Sequence, residues 1–220
     1  LLVIPAEELS ADPSKIEKIV TAVKREKVIC IQCGSTYRLA VPAFSAQAVS
    51  TLFQIKRRTK KAPALVFIPD AGALSSVAQE VPDVASALMK AFWPGPLTLL
   101  FKPSDDLPAE LRKALTKGRK KIGVRVPENP VAHDILKMSG MPLLVSSANV
   151  ASRKGAGSVA QVKQNFGRWL DVFVDAGDLK PYEPSTLVDF RKGSLHIIRE
   201  GMIREEDIKK VISPSNEDPP

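Results

Sequence analysis

The chain has 220 residues, 44% hydrophobic and 25% charged, the balance of an ordinary globular protein with enough length for a sizeable core. Lys plus Arg number 32 against 24 Asp plus Glu, a formal net charge of +8 that suits polyanionic partners. No apolar run approaches the roughly 18 residues of a membrane span, and Leu1-Leu2-Val3-Ile4-Pro5 is too short for a signal-peptide core and lacks a basic lead-in; a cytoplasmic chain without a membrane partner is expected.

In chain order, residues 12–26 read as a helix: Asp12 can cap it, Pro13 suits its first turn, and Ile16, Ile19, Val20 and Val23 share one face. Residues 28–33 read as a buried strand. Ser45 starts a second helix, which turns Val49, Leu52 and Phe53 inward and ends in Lys56-Arg57-Arg58, cations at its negative end. Residues 64–68 form a short apolar strand stopped by Pro69-Asp70-Ala71-Gly72. Helical stretches are predicted at 74–80 and 83–92, and a strand at 97–101 after the break Trp93-Pro94-Gly95-Pro96. Helix 108–116, strand 121–126, helix 129–138 and strand 142–145 lead into a polar loop, Ser146 to Ser158. A helix at 159–166, strands near 171–174, 185–190 and 194–199, and a short helix at 203–211 complete the pattern. The last two strands, joined through Arg191-Lys192-Gly193, read as a hairpin. Alternating strands and helices with a terminal hairpin predict an α/β fold with a mixed sheet, one domain over 1–212 and a disordered tail over 213–220.

Cys30 and Cys33 form a Cys-x-x-Cys pair within a strand, where alternation puts them on opposite faces. A redox motif of this spacing needs a helix N-terminus, and a metal site needs further ligands where His133 and His196 are the chain's two histidines. Reduced thiols and no metal site are therefore expected.

Several groups could carry chemistry. Lys56-x-Arg58 at a helix end can hold phosphates, Lys as a point charge and Arg as a planar fork; a solvated basic helix end is the alternative. The wider clusters, Arg57, Lys60 and Lys61 beside them and Arg112, Lys113, Lys117, Arg119, Lys120 and Lys121 later, suit a polyanion. Ser146-Ser147-Ala148-Asn149 places hydroxyl and amide groups at a strand's carboxyl end, a common ligand position in open α/β sheets, although Ser and Asn also favour plain turns. Ser152-Arg153-Lys154-Gly155-Ala156-Gly157-Ser158 resembles a phosphate-cradling loop without P-loop spacing. In Gly123-Val124-Arg125-Val126-Pro127, an apolar strand should not bury its Arg without an anion, supplied by a ligand or by an internal Asp or Glu.

Taken together with Phe92-Trp93-Pro94-Gly95-Pro96-Leu97-Thr98, Ser185-Thr186-Leu187-Val188-Asp189 and Arg199-x-Gly201, these segments resemble the YrdC-like family of threonylcarbamoyl-AMP synthases over roughly residues 14–205. The resemblance implies a twisted open sheet with flanking helices and a positively charged concave face. It also implies a reaction: L-threonine, bicarbonate and ATP give threonylcarbamoyl-AMP and pyrophosphate, with Mg²⁺ assisting, in the modification of tRNA. By the family's pattern Lys56, Arg58, Ser147, Asn149 and Arg199 would face ATP. Cys33, Ser35, Arg125 and Ser185 would face the amino acid.

The family's signature Pro-Thr-(Asp or Glu)-Thr-x-Tyr-Gly-Leu corresponds here to Gln32-Cys33-Gly34-Ser35-Thr36-Tyr37-Arg38-Leu39. Cys33 replaces a Thr and is the weaker hydrogen-bond partner. Gly34 replaces an acid, Arg38 replaces a Gly, and Phe67 stands where a His is common. The changes gather on the amino-acid side. Two readings follow: a synthase for threonine or a related small amino acid, or a binder of tRNA or double-stranded RNA without synthase activity, using Lys56, Arg57, Arg58, Lys60 and Lys61. With two Trp, two Tyr and eight Phe, an aromatic platform for single strands is not expected.

Overall fold

The computed structural model describes residues 1–56, 64–116, 120–149, 157–181, 183–191 and 194–213. The N-terminal third comprises β1 (Leu2–Pro5), α1 (Glu8–Ala11), α2 (Pro13–Lys24), β2 (Ile29–Cys33), β3 (Thr36–Pro42) and α3 (Ala46–Ile55). β4 (Leu65–Phe67), β5 (Ala78–Gln79), α4 (Asp83–Phe92), β6 (Leu97–Pro103), α5 (Ala109–Thr116) and β7 (Ile122–Arg125) follow. The remainder is α6 (Pro130–Ser139), β8 (Leu143–Ser147), α7 (Val159–Phe166), β9 (Val172–Asp175), β10 (Thr186–Arg191), β11 (Ser194–Arg199) and α8 (Glu205–Ile212).

Local chemistry sets the helix starts. The Asp12 carboxylate accepts from Ser14 N at 3.0 Å and Ser45 Oγ accepts from Ala48 N at 3.0 Å, so both caps read from sequence form. Ile16, Ile19, Val20 and Val23 are buried on the predicted face of α2.

Among the described residues the strands join in one mixed sheet ordered β1-β9-β2-β3-β8-β4-β7-β6-β10-β11, with β5 attached to β6. β1, β9 and β2 run parallel, as do β4 with β7 and β6 with β10; the other neighbours are antiparallel. The sheet separates two cores. One packs Cys30, Tyr37, Leu39, Val66, Leu99, Val124 and Leu144 against α3, α4, α5, α7 and α8. The other packs Ile29, Ile31, Cys33, Ala40, Phe67 and Val145 against α1, α2 and α6. Cys30 and Cys33 fall in opposite cores as the alternation predicts, and both are free thiols.

Some elements differ from expectation. Residues 74–80 do not form a helix: a 3₁₀ segment spans Ala71–Ser76, with Asp70 accepting from Ala73 N, and Ala78–Gln79 then adds to the end of β6. A 3₁₀ turn seldom extends further because its side chains eclipse. Ser146 and Ser147 belong to β8, held extended opposite Leu39 and Arg38, not to a loop. β1 and β3 add strands that the sequence pattern did not assign. The expected tail lies outside the described residues beyond Ser213.

The hairpin of β10 and β11 is closed at its base by Thr186, which is fully buried. Its Oγ1 donates to Ile203 O at 2.6 Å and accepts from Gly201 N at 3.0 Å and Ile203 N at 3.1 Å. Gly201 passes so close that a Cβ would stand 2.0 Å from Pro184 O. Gly201→Ala is therefore expected to force the strand end away and lower stability by about 1–3 kcal/mol, the usual range for overpacking; a thermal melt equal to the parent's would refute the close approach.

Asp189, 6% exposed on β10, accepts from Lys121 Nζ and Arg191 Nε, each at 2.7 Å. Burial pushes its carboxyl upward, but the hydrogen bonds and charges of Lys121 and Arg191 outweigh that and hold it below the usual carboxylate range. A carboxyl depressed on folding stabilises above its unfolded value of about 3.9 and loses that contribution as pH falls through the folded value. Asp189→Asn should cost about 1–3 kcal/mol near neutral pH. The gap to the parent should close in acid below the folded value, and urea unfolding across pH measures it; a gap unchanged into acid would exclude the ionic contribution.

Candidate functional site

Lys56 sits at the C-cap of α3 and reaches across to the end of β8. Its Nζ donates to Ser147 O at 2.6 Å, to Asn149 O, and to Asn149 Oδ1 at 3.3 Å. Ser147 Oγ donates to the same Oδ1 at 2.6 Å. Residues some ninety positions apart are thus tied into one polar knot, with the Phe166 ring centre 5.4 Å from the ammonium. Charge-assisted hydrogen bonds of this kind are stronger than neutral ones and hold Asn149 at the end of β8.

Beside the knot, across the β3–β8 pairing, Arg38 lies opposite Ser147. Arg38, Cys33, Phe67 and Arg125 belong to the face that carries α2 and α6, at the edge where that cover stops: the second core takes no residue from β6, β7, β10 or β11. The guanidinium carbons of Arg38 and Arg125 each stand 5.9 Å from the centre of the Phe67 ring. Arg125 is 4% exposed; its Nε donates to Gly95 O at 2.7 Å, and its fork pairs with the Glu128 carboxylate. The anion that an apolar strand requires is therefore internal, three residues on. Gly95 also donates to Val126 O at 3.0 Å, and a Cβ there would meet Phe92 O at 2.3 Å, so the turn after α4 needs glycine to approach β7.

Arg38 is held differently. It lies close to the Cys33 thiol, and its Nε is buried without a hydrogen-bond partner among the described residues. Burial, then repulsion from Arg125, pulls its guanidinium below the ordinary range. Burial likewise pushes the Cys33 thiol up, so it stays neutral near pH 7. Gly34 takes φ 64 in the turn before β3, a conformation that suits glycine where the family pattern has an acid.

The third group comes from the terminal hairpin. Arg199 donates from Nε and from its fork to Ser185 O at 3.2 and 2.6 Å, and to Ser185 Oγ at 3.2 Å. Ser185 Oγ lies 3.3 Å from Thr98 Oγ1 on β6. Burial and the charges of Arg38 and Arg125 lower the Arg199 guanidinium from its ordinary value, which places the three arginines in one electrostatic group.

Of the residues singled out from sequence, Lys56, Ser147 and Asn149 come together, Arg125 stands over the Phe67 ring, Cys33 lies in the same core as Phe67, and Ser185 pairs with Arg199. Ser35 occupies the β2–β3 turn, its carbonyl 3.4 Å from where a Gly157 Cβ would be. Arg57, Arg58, Lys60 and Lys61 lie outside the described residues, as do Lys117, Arg119 and the 152–156 part of the glycine-bearing loop. Within the later basic cluster, Lys121 is paired to Asp189 and Arg112 to Asp105, so part of that charge is spent inside the fold. Sequence reasoning did not name Glu128 and gave Thr98 no role beyond its place in the Phe92–Thr98 segment; the i, i+3 spacing from Arg125 was the available signal for the first. A cavity of about 680 Å³ lies behind the Trp93–Pro94 turn, lined by Asp70, Met89, Trp93, Pro94, Val126 and His133 among others, none of them a predicted site residue. Among the described residues no group of three His, Cys, Asp or Glu could hold a metal, and no helix is long and apolar enough to cross a membrane.

Known proteins match this arrangement. The Sua5–YciO–YrdC family, described as "Telomere recombination", matches residues 21–201. The threonylcarbamoyl-AMP synthase of Pyrococcus abyssi is 28% identical over 198 residues, covering 90% of this chain and 57% of that protein. The Bacillus subtilis threonylcarbamoyl-AMP synthase is 27% identical over 96% of this chain and 60% of its own length. The chain thus spans about three-fifths of these curated relatives. The crystal structure of P. abyssi Sua5 complexed with L-threonine superposes with a TM-score of 0.86 at 27% identity, over 96% of this chain and 61% of that one. Escherichia coli YciO superposes with a TM-score of 0.79 at 26% identity, over 94% of this chain and 98% of its own. A family match across most of the sequence, on the same sheet and helices, establishes that the chain belongs to the Sua5–YciO–YrdC family.

Proposed function

We propose that the chain is a nucleotidyltransferase that converts an amino acid, bicarbonate and ATP into a carbamoyl-adenylate and pyrophosphate, as its threonylcarbamoyl-AMP synthase relatives are named for. The observation that carries the reading is the Lys56–Ser147–Asn149 knot, with Arg38 paired across from Ser147 and Arg125 over the same Phe67 ring as Arg38. In the reaction the amino acid's nitrogen bonds to the carbon of bicarbonate, and water leaves, giving a carbamate. A carbamate oxygen then bonds to the α-phosphorus of ATP as the bond from that phosphorus to the bridging oxygen breaks. Pyrophosphate departs with the electron pair.

This chemistry asks the protein for position and positive charge. Lys56, held by three oxygens, acts on the nucleotide as a fixed charge, and Ser147 and Asn149 present polar groups at the strand end. Arg199, on the terminal hairpin, would offset charge developing on the leaving group. Arg58 would join this ATP-facing set. Ser185, Cys33, Ser35 and Arg125 form the amino-acid side. Mg²⁺, when bound, neutralises phosphate charge; it would enter on the triphosphate, because it needs only one or two protein carboxylates beyond phosphate oxygens and water. The formal charge of +8 also favours contact with tRNA or double-stranded RNA on a positively charged concave face, which is compatible with catalysis.

The full chain incubated with ATP, Mg²⁺, bicarbonate and each amino acid in turn is expected to release pyrophosphate only when all are present. Arg199→Ala should weaken ATP binding by calorimetry about tenfold or more, the worth of charge-assisted hydrogen bonds. Absence of pyrophosphate with every amino acid would reject the reading.

A further inference from the structure

Arg38 stands where the family pattern keeps a glycine, and it changes the charge of the site. Arg38, Arg125 and Arg199 act on one another electrostatically. Among the described residues one carboxylate, Glu128, pairs with this group, and it is taken by Arg125; no other acidic side chain lies within 4.0 Å of the nitrogens of Arg38 or Arg199. Cys33 cannot supply the missing anion, because burial keeps its thiol neutral. Arg199 spends its donors on the neutral oxygens of Ser185, and Arg38 Nε has no acceptor among the described residues. Phe67 closes one side with a ring that attracts cations but accepts no strong hydrogen bond. A partly buried guanidinium set beside a neutral thiol and a ring, with like charges nearby, is costly unless an anion meets its fork. ATP phosphates would meet Lys56 and Arg199, whereas Arg38 is set among Cys33, Phe67 and Arg125 on the amino-acid side.

We propose that Arg38 is a specificity-determining residue and that the amino acid taken by this site carries an anionic side chain, a carboxylate or a phosphate monoester, whose oxygens dock on the Arg38 fork. This rests on the synthase reading for the role of the pocket. A hydroxyl side chain such as threonine's would meet Cys33, a weak partner, and bring no anion of its own, so that only the α-carboxylate common to all amino acids could offset the surplus positive charge. An anionic side chain restores charge balance and matches the planar fork of guanidinium, which favours bidentate oxyanions.

Calorimetry on the full chain with ATP present tests this with L-aspartate, L-glutamate, O-phospho-L-threonine and L-threonine. At least one acidic amino acid is expected to bind about tenfold or more tightly than L-threonine, the worth of a hydrogen bond to a charged group. Aspartate and glutamate against phosphothreonine tells carboxylate from phosphate. Arg38→Gly and Arg38→Gln should each abolish the margin while ATP still binds; Arg38→Gln, closer in size, decides if the glycine variant does not fold. L-threonine binding as tightly as every acidic ligand, no amino acid binding at all, or a margin surviving both substitutions overturns the proposal. Pyrophosphate release separates the two ideas. Turnover that prefers threonine sinks the Arg38 role and keeps the synthase. Preferential binding of an acidic amino acid without turnover keeps Arg38 and sinks the synthase.

Discussion

The burial of one guanidinium organises the site. Arg125 closes a four-residue strand whose other members are apolar, and it is 4% exposed. An ion there requires hydrogen bonds on every side, because an unmatched buried charge costs several kcal/mol, about 3–5 when a partner is removed. Gly95 O and Glu128 meet that demand. In doing so they fasten the turn after α4 to the end of β7 and fix how the chain enters α6. The rigid sequence Trp93-Pro94-Gly95-Pro96 is then a packing solution: Gly95 is the residue small enough to bring a carbonyl onto Arg125 while its own Cβ position is filled by Phe92 O.

The sheet supplies the second condition. One core runs along the face that carries α3, α4, α5, α7 and α8, whereas α1, α2 and α6 cover the other face over β1, β9, β2, β3, β8 and β4. Thr98, Arg125, Arg38 and Ser147 alternate with residues of the first core, so they point to the face on which that cover ends. Strand periodicity thereby collects polar and cationic groups from β3, β6, β7 and β8 without any one segment being polar throughout. The terminal hairpin adds Arg199, and Thr186 locks its base.

Much of this could be read in the sequence, for identifiable reasons. Asp12, Ser45 and the Ile16–Val23 face obey local rules of capping and period, and local rules survive folding. β3 escaped because it carries Arg38 and Thr36 among apolar residues and follows the Cys33–Ser35 turn, so its alternation is broken by the site itself. β1 escaped because an exposed edge strand of Leu and Val looks like any short apolar start; only its parallel pairing with β9 defines it. Residues 74–80 looked helical by composition, and a long-range pairing of Ala78 with Pro103 decided otherwise. In the site, Lys56, Ser147 and Asn149 were visible as residue types at strand and helix ends, but their mutual bonding joins segments about ninety positions apart, which no local pattern encodes. Glu128 was invisible by name, although the need for an internal acid or a ligand beside Arg125 followed from electrostatics.

Arg38 shows how one substitution redistributes a whole site's charge. With glycine at that position the amino-acid side would hold one guanidinium already matched by Glu128, and an amino acid with an uncharged side chain could sit beside it. With arginine, three guanidiniums share one carboxylate among the described residues. The fold tolerates this because each cation is placed separately: Arg125 by Gly95 O and Glu128, Arg199 by Ser185, Arg38 over the Phe67 ring. The anchors weaken in that order, from a charged carboxylate to neutral oxygens to an aromatic ring. Arg38 is thus the cation whose charge the protein satisfies least, and the one with most to gain from an incoming anion. Phe67 fits the same logic. A histidine beside two guanidiniums would be driven to its neutral form and would compete for the ligand, whereas a phenyl ring accepts both cations on its π-system and leaves the fork of Arg38 to the substrate.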